Sequence, residues 1–151
     1  MKALSLLASC ATLLAVLLTS TSAQAAQPGA YSVTETKSAI GNKPAKPPRT
    51  KDRCIGTDQM DKDGFLYPDQ LLSQHFSQCR IKDSKLVGKN TKEWTVTCGK
   101  MLTAQANQVN TGGNFHLHID AKLLGGSLKQ TLEYEATSLK RACTAEDSPL
   151  D

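Results

Sequence analysis

The chain has 151 residues, of which 39% are apolar, 21% charged and only 5% aromatic. That balance is ordinary for a globular domain and excludes a polytopic membrane protein, a collagen, a coiled coil and a fully disordered chain. Lys plus Arg is 18 against 14 for Asp plus Glu, a formal charge of +4. The imbalance is too mild and too dispersed along the sequence to argue for nucleic acid. With so few aromatic residues, the core must rest on Leu, Val, Ile and Ala.

Met1-Lys2 is a minimal positive start, Ala3 to Leu18 is almost wholly apolar, and Ala23-Gln24-Ala25 forms an A-x-A site. This three-part pattern predicts a signal peptide over 1–25, cut after Ala25, and one periplasmic domain over 26–151. The apolar run falls short of the ~20 residues that span a bilayer, and no second run follows it, so no transmembrane segment is expected in the mature chain. Leu7-Ala8-Ser9-Cys10 resembles a lipobox, but Cys10 lies too early in the run, which makes a lipoprotein the lesser reading.

Removal of the leader also removes Cys10. Four Cys remain: Cys54, Cys79, Cys98 and Cys143. An even count in a small exported domain predicts two disulfides. No C-x-x-C pair is present and the gaps are wide, which argues against a zinc site.

Tyr31, Val33 and Glu35 alternate with Ser32, Thr34 and Thr36, predicting a first strand from about 30 to 37. Residues 41–53 (GNKPAKPPRTKDR) hold three Pro and five Lys or Arg. That composition predicts a basic, solvated connector leaning toward polyproline II, with contact to an anionic surface as the lesser alternative. Thr57–Asp61 suits one helical turn. Asp61–Gly64 faintly resembles a calcium loop, but Gln59 and Gln70 stand where the first ligand and the bidentate Glu belong, so a simple turn is expected. Pro68 followed by DQLLSQHFSQ predicts a short helix from about 68 to 76, with Leu71, Leu72, His75 and Phe76 on its apolar stripe.

The remainder reads as strands: 79–87, 91–99, 101–109, 114–124 and 127–138, separated by Gly-containing turns. The prediction is a mainly β fold, a curved antiparallel meander of about six strands, partly closed and barrel-like, with one short helix.

Two hairpins can be registered from their turns. If Gly88-Lys89 is a two-residue first turn, or 87–90 a symmetric four-residue loop, Ile81 faces Val96 and Cys79 faces Cys98. Directly opposed Cα atoms ~4.5–5.5 Å apart suit a disulfide. By elimination Cys54 pairs with Cys143, closing a loop worth ~4–5 kcal/mol on the chain-entropy model. The other two connectivities stay open on the sequence alone. If Gly125-Gly126 is the second turn, Phe115, Leu117, Ile119, Ala121 and Leu123 face Ala136, Tyr134, Leu132, Gln130 and Leu128. Nine of these ten are apolar or aromatic, so one face of this hairpin must be buried.

The other face of the same hairpin places His116 opposite Glu135, His118 opposite Glu133 and Asp120 opposite Thr131. His116, His118, Glu133 and Glu135 are candidate ligands for zinc or copper(II). The plainer reading is a solvated face with favourable His–Glu pairs. No nucleophile elbow, H-E-x-x-H or phosphate loop is present, and neither a catalytic residue nor a cofactor is expected. On the apolar side, Tyr31, Trp94, Phe115, Leu117, Ile119, Leu132 and Tyr134 either line a ligand site or simply form the core.

Pro28-Gly29-x-Tyr31, Cys54 followed by Thr57, Cys79 and Cys98 around a strand–turn–strand with Trp94, and Lys140-Arg141-x-Cys143 resemble the domain-of-unknown-function family numbered 3617, small exported proteins of Gram-negative bacteria. The resemblance covers nearly all of 28–143. It departs from the family pattern at Tyr31, where members carry Trp, in the Lys/Pro segment, where they are Met-rich, and at Ala142, where they carry Gly. It implies a periplasmic, mainly antiparallel β fold and brings no activity, so no catalytic residue is carried over. The sequence therefore predicts a non-enzymatic binding or interaction protein, whose partner is an envelope protein or a small apolar ligand. The alternatives are metal handling on the His/Glu face and, more weakly, an envelope hydrolase.

Overall fold

The computed structural model describes residues 24–150. The predicted leader falls mostly on residues outside that range. The fold is one sheet of eight strands: β1 (Gly29–Lys37), β2 (Lys46–Ile55), β3 (Cys79–Leu86), β4 (Thr91–Cys98), β5 (Leu102–Thr111), β6 (Asn114–Leu123), β7 (Leu128–Ser138) and β8 (Ser148–Pro149), with one short helix α1 (Pro68–Ser73). The spatial order is β3-β4-β5-β6-β7-β1-β2-β8. The sheet is not closed, since β3 and β8 do not pair. No helix among the described residues is long and apolar enough to cross a membrane.

The meander from β3 to β7 follows from period-two alternation. Along β5, Leu102, Ala104 and Ala106 are buried while Thr103 and Gln105 are exposed. Along β6, Phe115, Leu117, Ile119 and Ala121 point the same way. Every pair expected of the β6–β7 hairpin is observed, from Phe115↔Ala136 to Leu123↔Leu128. This single apolar face is covered by Leu71 and Leu72 of α1 and by Met60, Phe65 and Leu66 of the preceding loop. Leu117 and Ile119 are fully buried. Each such side chain contributes ~1.5–3 kcal/mol by leaving water.

Both disulfides form as expected, Cys79–Cys98 and Cys54–Cys143. The first does so despite a different turn. Val87 N–H donates to Thr91 O, so the loop is Gly88-Lys89-Asn90, of three residues and not the two or four expected, and Leu86 faces Lys92. A bulge between Ile81 and Asp83 absorbs the offset and restores Ile81↔Val96 and Cys79↔Cys98.

The segment 41–53 is the main correction. It is not a solvated connector: from Lys46 onward it is β2, paired antiparallel with β1 through Val33↔Lys51 and Glu35↔Arg49. Its side chains carry no apolar alternation, so the period-two signal is missing. What holds it is the backbone ladder to β1, Ile55 buried at its end, and the Cys54–Cys143 bridge. The positions of β2 that should face the core hold Arg49, Lys51 and Arg53, and Pro47 and Pro48 lie at its start. Inward charges and prolines suit a strand near a sheet edge, where they oppose further pairing. β8 covers only Arg53 and Cys54 of it. The sequence offered no sign of β8, which adds two residues and buries Leu150.

Smaller differences are local. α1 ends at Ser73, although the Phe76 N–H still reaches Leu72 O. Thr57–Asp61 is a turn closed by Gln59 N–H to Gly56 O rather than a helix. Asp61 caps its own turn: Oδ1 accepts from the Asp63 and Phe65 amides, and Oδ2 accepts from Lys92 Nζ at 2.6 Å.

Candidate functional site

The seven predicted interior residues are brought together. Tyr31, Trp94, Phe115, Leu117, Ile119, Leu132 and Tyr134 are each at most 5% exposed and belong to one cluster. Tyr31 and Phe115 meet at a tilt with ring centroids 5.4 Å apart, and Trp94 meets Phe65 edge-on at 6.1 Å. Their surroundings are those of a packed core. A cleft of about 60 Å³ opens beside it, where Arg49, Lys51 and Arg53 of β2 stand over Val33, Tyr134 and Leu150. Glu35 in the same cleft pairs with Lys37 at 2.6 Å.

The predicted polar face is also present. His116 lies opposite Glu135 and His118 opposite Glu133. Only His118 sits within a cluster: its Nδ1 is 3.2 Å from Glu133 Oε1 and its Nε2 is 3.1 Å from Asp120 Oδ2. Asp120 Oδ1 also accepts from the Thr131 hydroxyl. Partial burial pulls the His118 pKa down, but the hydrogen bonds and charges of Asp120 and Glu133 outweigh it and raise the pKa above the ordinary value. The Asp120 carboxyl is held below its usual range, first by His118 and then by Thr131. The arrangement is an imidazole ring held between two carboxylates, which favour its protonated form. A metal ion would have to displace one carboxylate from the ring. Among the described residues no three His, Cys, Asp or Glu group as a metal site requires.

Three polar features escaped sequence reasoning. Gln108 and Asn110 on β5 are buried and fasten the loop before α1. Gln108 Nε2 donates to Gly64 O and Asn110 Oδ1, and Asn110 Nδ2 donates to Gly64 O. The one available signal was the break in β5 alternation, where polar residues occupy inward positions. The second feature is Asp147, 2% exposed at its side chain, which takes a two-point contact from Arg141 at 2.7 and 2.8 Å and two more hydrogen bonds from Thr144. Arg141 above all, then the Thr144 amide, holds its carboxyl far below the usual range.

The third is a segregation of charge. The segments 37–48, 78–82, 97–104 and 121–130 meet at one end of the strands, as shown by Lys37↔Lys46, Cys79↔Cys98, Leu102↔Leu123 and Leu123↔Leu128. They carry eight of the 18 Lys and Arg and none of the 14 Asp and Glu. A nearly balanced sequence thus folds into a domain with one basic end, bordered by Glu35, Asp83 and Asp120.

Together these features define a small open-sheet β-domain, braced by two disulfides, with a filled interior and most of its charged groups on the surface. The chain belongs to the family described as Protein of unknown function (DUF3617), whose model matches residues 26–143. No curated protein and no solved structure matches the chain.

Proposed function

We propose that the chain is a non-enzymatic interaction protein of the exported compartment, which recognises an anionic partner with its surface rather than with an internal pocket. The observation that carries this reading is the basic end of the sheet, free of acidic residues over four separate segments. The filled core supports it, because the residues that would line an internal pocket are spent on packing. The two disulfides suit an oxidising location.

Retention on an immobilised polyanion tests the reading. The wild type is expected to bind and to elute with salt, as screened charge attraction requires. A K100E/K122E/K129E variant with unchanged melting should pass through. Equal retention of the two proteins would defeat the reading. Metal handling through His116, His118, Glu133 and Glu135 is the weaker reading, because His118 engages carboxylates with both ring nitrogens.

A further inference from the structure

We infer that the β4–β5 and β6–β7 turns form a footing that seats the domain on an anionic phospholipid surface, with Met101 and Leu124 entering the headgroup layer and Lys100, Lys122 and Lys129 on the phosphates. The inference rests on the surface-binding reading above and names its partner.

Large exposed apolar side chains are few among the described residues, and two of them sit together here. Met101 is 60% and Leu124 is 52% exposed. The turns that carry them are joined by Leu124 N–H donating to Met101 O at 2.8 Å, which holds the two tips side by side. Leu124 adopts φ +50°, a left-handed conformation unfavourable for a branched side chain and easily taken by glycine. Gly125 and Gly126 follow directly. The strained position thus holds a leucine at an exposed turn.

The charges beside the two apolar tips point to the same partner. Lys122 and Lys129 face each other directly across β6–β7. Like charges in that position repel; neither turn holds a carboxylate, and only Asp120, two positions along β6, offsets Lys122 in part. Lys100 adjoins Met101, and Arg80 lies beside Lys100. Lipid phosphates at a membrane surface neutralise such a group collectively, each cation adding attraction that falls off within a Debye length. An acidic protein would match the charge, but protein interfaces are built around a well-packed apolar core. Two protruding apolar tips ringed by lysines suit a soft, anionic, partly apolar layer instead.

The opposite end of the sheet provides an internal control. Leu86 and Val87 are also exposed, at 53% and 39%, and Lys85, Lys89 and Lys92 lie in their hairpin, but Glu93 faces Lys85 and Asp61 holds Lys92 at 2.6 Å.

Co-sedimentation of the oxidised mature chain with vesicles tests the inference. Binding is expected to vesicles of phosphatidylcholine mixed with phosphatidylglycerol and not to phosphatidylcholine alone, and added salt should weaken it. M101S/L124S should weaken binding about tenfold or more, K129E should weaken it measurably, and L86S/V87S should leave it unchanged. Thermal melting of each variant checks the fold, and the salt and lipid dependence of the wild type needs no variant at all. Binding that ignores the anionic lipid, or that M101S/L124S leaves intact, overturns the inference. Retention on the polyanion without vesicle binding overturns the lipid partner while the surface reading stands. Loss of both overturns the two together.

Discussion

Gln108 accepts a hydrogen bond from the Leu66 N–H at 2.9 Å while itself fully buried on β5. Its amide nitrogen reaches Gly64 O, two residues earlier in the same loop. One side chain therefore satisfies a donor and an acceptor of a segment with no regular structure, and that segment covers the core with Phe65 and Leu66. Gln108→Leu keeps the volume but leaves the Leu66 N–H unpaired and weakens the hold on Gly64. The expected cost is about 2–4 kcal/mol. Urea unfolding measures it, and faster exchange of the Leu66 amide proton would locate it.

Gly64 and Gly88 separate two effects of glycine. Both adopt φ +78°. A Cβ on Gly88 meets nothing, whereas one on Gly64 would run into the Ala26 backbone. Gly88→Ala should therefore cost only the left-handed penalty, ~1–2 kcal/mol. Gly64→Ala should cost clearly more and loosen the segment around the buried Ala26. Equal melting temperatures for the two variants would contradict the close approach.

The two disulfides close loops of different length, with sequence separations of 89 and 19. On the chain-entropy model, replacing Cys54 and Cys143 by Ser should cost ~4–5 kcal/mol, and replacing Cys79 and Cys98 ~3 kcal/mol. Denaturation of the two double variants gives the ranking. A non-reduced peptide map checks the connectivity directly.

His118 and Asp147 act in opposite pH windows. The His118 pKa is raised in the fold. Its stabilising contribution is therefore complete below the ordinary imidazole pKa of ~6.5 and is lost as pH rises through the folded value. Asp147 is depressed. Its contribution is present above the usual carboxylate range and is lost as pH falls through the folded value. NMR titration of the His118 ring should show a midpoint above that of a free imidazole, and Glu133→Gln should lower it. Asp147→Asn should remove its share of the acid-side loss and accelerate exchange at the Thr144 amide. A His118 midpoint indifferent to Glu133→Gln would remove that pair from the account.

What could be read in advance was local. The β6–β7 pairing was legible because five alternating positions on each strand had to bury one face, and a slip by one residue would expose them all. The Cys79–Cys98 pairing was also legible, although the turn has three residues and not the two or four expected. The bulge after Ile81 compensates, so the register near the cysteines depends on burial of Ile81 and Val96 more than on the turn. The candidate site was half legible. The faces of His116 and His118 followed from the pleat, but that only His118 sits between two carboxylates followed from side-chain placement.

Composition and alternation alone determined the fold class, the faces of the meander strands and the pairing of their hairpins, because period two and short turns act between neighbours in sequence. The tertiary structure decided that a proline- and lysine-rich segment is a strand, that Gln108 is a buried fastener, and that cations scattered over four segments converge. Each depends on which distant backbone lies alongside: β1 has hydrogen-bonding groups to satisfy and β2 supplies them whatever its side chains, while strand order alone places Lys43, Lys100 and Lys129 at a common end.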